Sequence, residues 1–282
     1  VKPIAKLTKL KRLSMDRNQI SDLSPLSSLK GLEAVSFNFN NISDIGVSTS
    51  WNKLKYFNMA YNKLENISAL GRARKLEGIW IPGNYVKDIN ALQGLTKLKV
   101  VILEKNPVQD ISALSTLNNL AQLNLSKTNI KDYTPLMNAK NITILILKDN
   151  SVSSIEFISA LKKIKWLDLR SNQINNISAL ADLEHLEKVF LSDNKISSLQ
   201  TLTTLKSLRW LVVENNEIKD LSPISSIVGL TDIMIYNNPI DSKSSQEQIA
   251  TIKSLGKNVY TKPFETKSVF QKIPSEVRMK AH

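Results

Sequence analysis

The sequence predicts a solenoid of the α/β class, with a parallel β-sheet along one side and short 3₁₀ or extended segments along the other. Three observations predict it. An Asn recurs every 22 residues, at Asn18, Asn40, Asn62, Asn84, Asn106, Asn150, Asn172, Asn194, Asn216 and Asn238, and only Thr128 breaks the series. Self-similarity at such a period means one small unit stacked on itself. Before each Asn the apolar residues alternate, as in Leu123 and Leu125 or Leu167 and Leu169, and a period of two is that of a strand. After it they come every third position, at Ile174, Ile177, Leu180, Leu183 and Leu186 in the eighth turn. That spacing lacks the drift of an α-helix and suits 3₁₀ or extended chain.

The elements follow in order. The chain enters in mid-turn, because Ile4, Leu7 and Leu10 match Leu180, Leu183 and Leu186. A cap is therefore expected before Val1, since an open solenoid end exposes its core. In the second turn Ser48 replaces an apolar residue and Trp51 replaces a Leu, so Trp51 is expected to fill the space that Ser48 leaves. Each marker Asn stands where the strand ends and the chain must turn. Its amide has two donors and two acceptor sites, and stacked Asn side chains can bond backbone groups of adjacent turns. Thr128 replaces only part of this, which predicts a weak point. The repeat spans 1–240. A helix over 244–255, with Ser245 and Gln248 as a capping box and Gly256 as its stop, predicts a C-terminal cap over 241–260, beside which Val259 and Tyr260 pack. The Lys-rich stretch 261–282 holds no repeat and reads as a tail or the start of a following segment.

The repeat has the form LxxLxxLxLxxNxIxxIsxL over nearly all of residues 4–240. Its turns carry Ser24-Pro25-Leu26, Ser68-Ala69-Leu70, Ser112-Ala113-Leu114, Ser178-Ala179-Leu180 and Ser222-Pro223-Ile224. This pattern resembles the leucine-rich repeats of bacterial internalins. The resemblance implies a right-handed horseshoe with the parallel sheet on its concave side and a small helical cap at the N-terminal end. It also implies a surface or secreted bacterial protein that acts in virulence by engaging a host or cell-surface protein.

Composition narrows the class. The 282 residues are 42% hydrophobic and include no Cys. The lack of Cys suits export from a Gram-positive bacterium and also a cytosolic protein. There is no apolar run near the length of a membrane span. Val1 is not an initiator Met, so the chain reads as a processed or excised piece. Asn66-Ile67-Ser68 and Asn176-Ile177-Ser178 match the glycosylation sequon but read as by-products of an Asn- and Ser-rich repeat. The two histidines, His185 and His282, support no nucleophilic triad. No His/Cys spacing suits a metal, and the eight scattered glycines form no phosphate loop. No enzyme and no cofactor is expected.

The candidate site is the concave face. With Leu167 and Leu169 inward, Trp166, Asp168 and Arg170 point to the other side of the strand. The same columns in other turns hold Tyr56, Trp80, Val100, Ile102, Ile144, Ile146, Phe190, Trp210, Val212, Met234 and Tyr236. The Leu positions already fill the core, so these side chains read as two exposed apolar patches. One runs through Tyr56, Trp80, Val100 and Ile102. The other runs from Ile144 to Tyr236, with Gln122, Asn124 and Ser126 between them. Exposed apolar patches mark interfaces, and Trp and Tyr are favoured hot spots. Trp166, Phe190 and Trp210 are the expected centre, where truncation removes binding and barely affects folding. The competing explanation, that β-branched and aromatic residues simply suit strands, covers Val100 and Ile144 better than the tryptophans.

The net charge of +13 gathers on one edge, in the loops entering the strands: Lys9, Lys11, Lys53, Lys55, Lys75, Lys97, Lys99, Lys163, Lys165 and Arg209. The alternative function is a wall module that binds teichoic acid or another polyanionic glycan through Lys53, Lys55, Lys97, Lys99, Lys163 and Lys165. Solvated loop edges have the same look, and nucleic acid is disfavoured because the aromatics lie apart from the stripe. Asp22, Asp44, Asp88, Asp110, Asp132 and Asp220 recur on the other edge, where short polar side chains cap turns. A third reading is an intracellular regulator similar to the phosphatase-binding 22-residue repeat proteins. The Ser-Pro-Leu turns favour the bacterial family.

Overall fold

The computed structural model describes residues 2–240 and 242–262. Twelve short parallel strands form one sheet in strict chain order. They are β1 (Arg12–Ser14), β2 (Ala34–Ser36), β3 (Tyr56–Asn58), β4 (Gly78–Trp80), β5 (Val100–Ile102), β6 (Gln122–Asn124), β7 (Ile144–Ile146), β8 (Trp166–Asp168), β9 (Lys188–Phe190), β10 (Trp210–Val212), β11 (Asp232–Met234) and β12 (Asn258–Tyr260). From β1 to β11 each residue pairs with the one 22 positions on, as in Trp166↔Lys188. From β1 to β10 the ladder continues two bonds past each strand, for example Met15 N–H to the Ser36 carbonyl and Arg17 N–H to the Asn38 carbonyl.

The opposite side is built of short 3₁₀ segments such as Ser178–Leu180 and Glu156–Ala160. One of its segments closes as a single α turn instead, α1 (Ser222–Ser226). The six edge aspartates each accept the backbone N–H two residues on, at 2.7–2.9 Å. Asn66 and Asn176 make the same bond to Ser68 and Ser178. Both sequon asparagines are therefore turn caps, which accounts for them without glycosylation. One continuous apolar core runs from Leu23 to Ile252.

The marker asparagines hold the turns together. Asn194 Nδ2 donates to the Leu191 and Ser192 carbonyls of its own turn and to the Leu169 carbonyl of the turn before. Its Oδ1 accepts the Ile174 N–H at 3.0 Å. Turn six departs from this pattern. Thr128 Oγ1 reaches the Leu125 carbonyl and Asn150 Oδ1, and Asn150 Oδ1 also takes the Thr128 N–H. The Val108 and Ile130 N–H groups so lose the amide acceptor that their equivalents Val86 and Val152 have. The same turn places Tyr133 where other turns have Ile or Leu. Its ring stacks on Phe157 at 5.4 Å, and burial pushes its pKa up to about 12, against a smaller lowering by Thr128. Trp51 fills the core of turn two beside Ser48, fully buried, and its Nε1 faces the Leu26 carbonyl at 3.4 Å.

The C-terminal end differs from its sequence reading in two respects. Helix α2 (Lys243–Ser254) is capped by Ser242, whose Oγ accepts the Ser245 N–H. Ser242 has the extended backbone that a cap needs (φ −67°, ψ 153°), whereas Ser245 is already helical and buried. Gln248 does not close a capping box. It accepts the Leu221 N–H and donates to Asp220, tying the helix to the turn it covers. Val259 and Tyr260, expected merely to lie beside the helix, belong to β12, which pairs with β11 at a spacing of 26 residues. The buried Lys257 ammonium donates to the Ile227 and Leu230 carbonyls. Apart from Thr261 and Lys262, the stretch 261–282 lies outside the described residues.

Candidate binding face

The concave columns do face away from the main core, yet the two aromatic patches are not alike. In the N-terminal patch Tyr56 is 43% exposed. Its neighbours in the column are Ala34 and Gly78, which offer no bulk to cover it. Trp80 lies across Gly78, where a Cβ would strike its ring, and meets the Tyr56 ring at 6.3 Å. Val100 and Ile102 continue this surface, half-buried.

The C-terminal patch is a second small core. Trp166, at 9% exposure, and Phe190, at 5%, are buried together with Val212 and Met234. Ile144, Trp210 and Tyr260 pack around them. The Trp166 and Phe190 rings stack at 5.3 Å. Lys188 Nζ covers the Trp166 ring at 4.9 Å and the Arg170 guanidinium covers Phe190 at 5.2 Å. Arg170 in turn forms an ion pair with the buried Asp168. This corrects the expectation that truncating Trp166, Phe190 and Trp210 would leave folding untouched. Parallel strands lie ~4.8 Å apart, so large side chains in successive turns bury one another. Of the expected site residues here, Trp166, Phe190 and Val212 are buried, while Ile146, Trp210, Arg170 and Tyr236 remain half-exposed. Glu214 lies among them, and burial raises its pKa despite a 3.4 Å bond from Ser192.

Three exposed aromatics escaped the sequence reading. Phe39 and Tyr61 stand immediately before marker asparagines, and Tyr85 immediately after one. Phe39 and Tyr61 stack at 4.8 Å on the rim of the sheet, and Tyr85 is also exposed. For Phe39 and Tyr61 the signal was available, since no other repeat places a ring at that position, where Asp, Asn, Ser, Gly, Arg or Lys stands instead.

A family model described as leucine-rich repeat matches residues 140–196 and 162–218. No curated protein matches the chain. Among solved structures, the internalin InlF of Listeria monocytogenes is 21% identical over 93% of this chain and 85% of its own, with a TM-score of 0.77. Internalin C2 of the same organism is 28% identical over 67% of this chain and 82% of its own, with a TM-score of 0.61. A leucine-rich repeat protein of Leptospira interrogans is 23% identical over 92% and 74%, with a TM-score of 0.83. The chain has the fold of a leucine-rich repeat solenoid and is similar in structure to internalins. Such solenoids are generally non-enzymatic protein-interaction modules, and their binding surface is the extended concave side.

In this leucine-rich repeat solenoid the Lys edge is partly neutralised. Glu33 pairs with Lys55 at 2.8 Å, Glu77 with Lys99 at 3.0 Å and Glu187 with Lys165 at 3.2 Å. Glu and Lys thus alternate along one column, a pattern the count of lysines alone had hidden. Lys55 holds Glu33 below the usual carboxylate range, and Glu77 holds Lys99 above the usual ammonium range. Lys163 donates to Asn141 at 2.6 Å. Lys53 and Lys97 are exposed. Among the described residues, no group of three or more His, Cys, Asp or Glu side chains could hold a metal ion, and no helix is long and apolar enough to cross a membrane.

Proposed function

We propose that this chain is the protein-binding domain of a bacterial surface or secreted protein and engages a host or cell-surface protein through its concave face. The observation that carries the reading is the open aromatic patch of Tyr56 and Trp80. Tyr56 is exposed and Trp80 half-buried, the pair is built over a glycine, and it lies outside the main core. A large exposed ring that costs solubility and adds little to folding is the signature of an interface anchor. Ile102 and Ile146 extend the patch toward Trp210 and Tyr236, so a partner can span several turns. Trp166, Phe190 and Val212 shape the floor at the C-terminal end. The likeness to internalins supports the bacterial setting. The polyanion reading is the weaker one, because Lys55, Lys99 and Lys165 already have carboxylate partners. In this reading residues 1–240 form the solenoid and 241–260 close it.

The test is binding of the chain to an array of host surface proteins, repeated with Tyr56→Ala/Trp80→Ala. The double variant should lose ~2 kcal/mol or more of affinity for any true partner, with its melting temperature little changed. A partner that binds parent and double variant equally removes the N-terminal patch from the interface. Binding that instead falls steeply with salt, as counterion release requires, supports the Lys edge.

A further inference from the structure

The position before each marker residue has a left-handed backbone in every turn, with φ between 52° and 67° from Arg17 to Asn237. That conformation crowds a Cβ and favours Gly, Asn and Asp. The C-terminal turns obey the preference. Asp193, Asn215 and Asn237 occupy it and bond to one another, Asn215 Nδ2 to Asp193 Oδ1 and Asn237 Nδ2 to Asn215 Oδ1, each at 2.7 Å. The N-terminal turns do not. Arg17, Phe39, Tyr61 and Lys105 stand there, with Gly83 between the last two. Bulky side chains held in this region are strained, and such strain concentrates at functional sites. Burial does not offset it, because Phe39 is 44% and Tyr61 40% exposed.

These side chains form an ordered stack. The Phe39 and Tyr61 rings are parallel within 9°. The Arg17 guanidinium lies over Phe39 at 4.8 Å from the ring centre. Lys105 Nζ lies 5.5 Å from the Tyr61 centre and donates to its hydroxyl at 3.4 Å. Gly83 makes room, because a Cβ there would strike the Tyr61 ring. Cations and the neighbouring ring therefore occupy the electron-rich ring faces. What remains open to solvent is the ring edges, which carry positive partial charge, beside two cations. Of the acids nearby, Asp16 accepts from Ser36 and Asn38, and Glu104 pairs with Lys105 at 3.9 Å, a longer contact than those on the Lys edge, which offsets part of that cation's charge and leaves Arg17 the more open of the two.

We propose that the Arg17–Phe39–Tyr61–Lys105 rim binds an acidic segment of the protein partner, whose carboxylates meet the ring edges and the two flanking cations. The inference rests on the protein-binding reading and adds the chemistry of the bound segment and the place where it docks.

The experiment is selection from a phage-displayed random peptide library on the parent chain, read against two variants. Phe39→Asn/Tyr61→Asn puts a residue suited to the backbone at both positions, so its melting temperature should not fall. Tyr56→Ala/Trp80→Ala removes the concave patch alone. The expected yield is peptides rich in Asp and Glu that bind the parent about tenfold tighter than the Asn variant. They should lose that preference when their acids become Asn and Gln. Discriminating peptides without an acidic excess, or no peptide that discriminates, overturn the proposal. Peptides sensitive only to the Tyr56/Trp80 variant overturn it while leaving the concave-face reading intact. A heparin oligosaccharide that displaces the selected peptides and fails equally on the Asn variant assigns the rim to a sulfated glycan and overturns it as well.

Discussion

Trp166→Ala is expected to destabilise the fold by ~3–5 kcal/mol, the range for truncating a buried Trp or Phe. Although the side chain lies on the concave side, it stacks on Phe190, sits under the Lys188 ammonium and borders Ile144 and Trp210. Removing it opens a cavity in the second core and strips Phe190 of its stacking partner. The cost should approach that of Leu167→Ala on the opposite face of the same strand, for which ~2–5 kcal/mol applies. Urea denaturation measures both. An unchanged midpoint for Trp166→Ala would mean that the concave cluster contributes nothing to folding.

Asn194→Ala should also destabilise the fold, through polar groups alone. The side chain satisfies the Leu169, Leu191 and Ser192 carbonyls and the Ile174 N–H. Truncation strands the Ile174 N–H in a buried turn, at ~1–3 kcal/mol for an unsatisfied group, and takes one of two donors from each carbonyl, since Asn172, Asn216 and the Ser171 N–H still reach Leu169, Leu191 and Ser192. Contacts in a solenoid are made only between neighbours, so a fault in one turn weakens the coupling of the turns on both sides. The expected result is a lowered midpoint with a broader transition. Thr128 shows how far the chain tolerates such a change. It keeps one carbonyl contact, to Leu125, and redirects Asn150, while the Val108 and Ile130 N–H groups go without an amide partner. Asn194→Thr should accordingly be milder than Asn194→Ala.

The solenoid was legible because its instructions are local and repeated. The alternation around Leu167 and Leu169 fixes which face of the strand is inward, and the marker Asn fixes where it ends. The turn aspartates announced their own role, since a short acceptor two residues before the first 3₁₀ residue can cap that turn. The cap was less legible. Ser242, Ser244 and Ser245 all qualify by residue type, and only backbone conformation selects Ser242. Strand β12 was invisible to a 22-residue search because helix α2 lengthens its turn to 26 residues.

The site was legible by column and misread by exposure. A side chain that leaves the main core is not thereby open, since its fate depends on the residues one turn away. Tyr56 stands between Ala34 and Gly78 and stays open. Trp166 stands between Ile144 and Lys188, with Phe190 diagonal to it, and is covered. Those neighbours can be read from the sequence once the columns are aligned. The rim stack was missed for another reason. The left-handed backbone that makes Phe39 and Tyr61 anomalous is a property of conformation, and only the repeated Asp, Asn and Gly at equivalent positions hinted at it.

The division between an open N-terminal aromatic surface and a self-covered C-terminal one is tested most directly by hydroxyl-radical footprinting of the free chain, read residue by residue and corrected for intrinsic side-chain reactivity. Tyr56, Phe39, Tyr61 and Tyr85 should oxidise fast, while Trp166 and Phe190 should be protected nearly as well as the fully buried Trp51. Oxidation of Trp166 at a rate matching Tyr56 would contradict the account and return the C-terminal patch to the exposed surface.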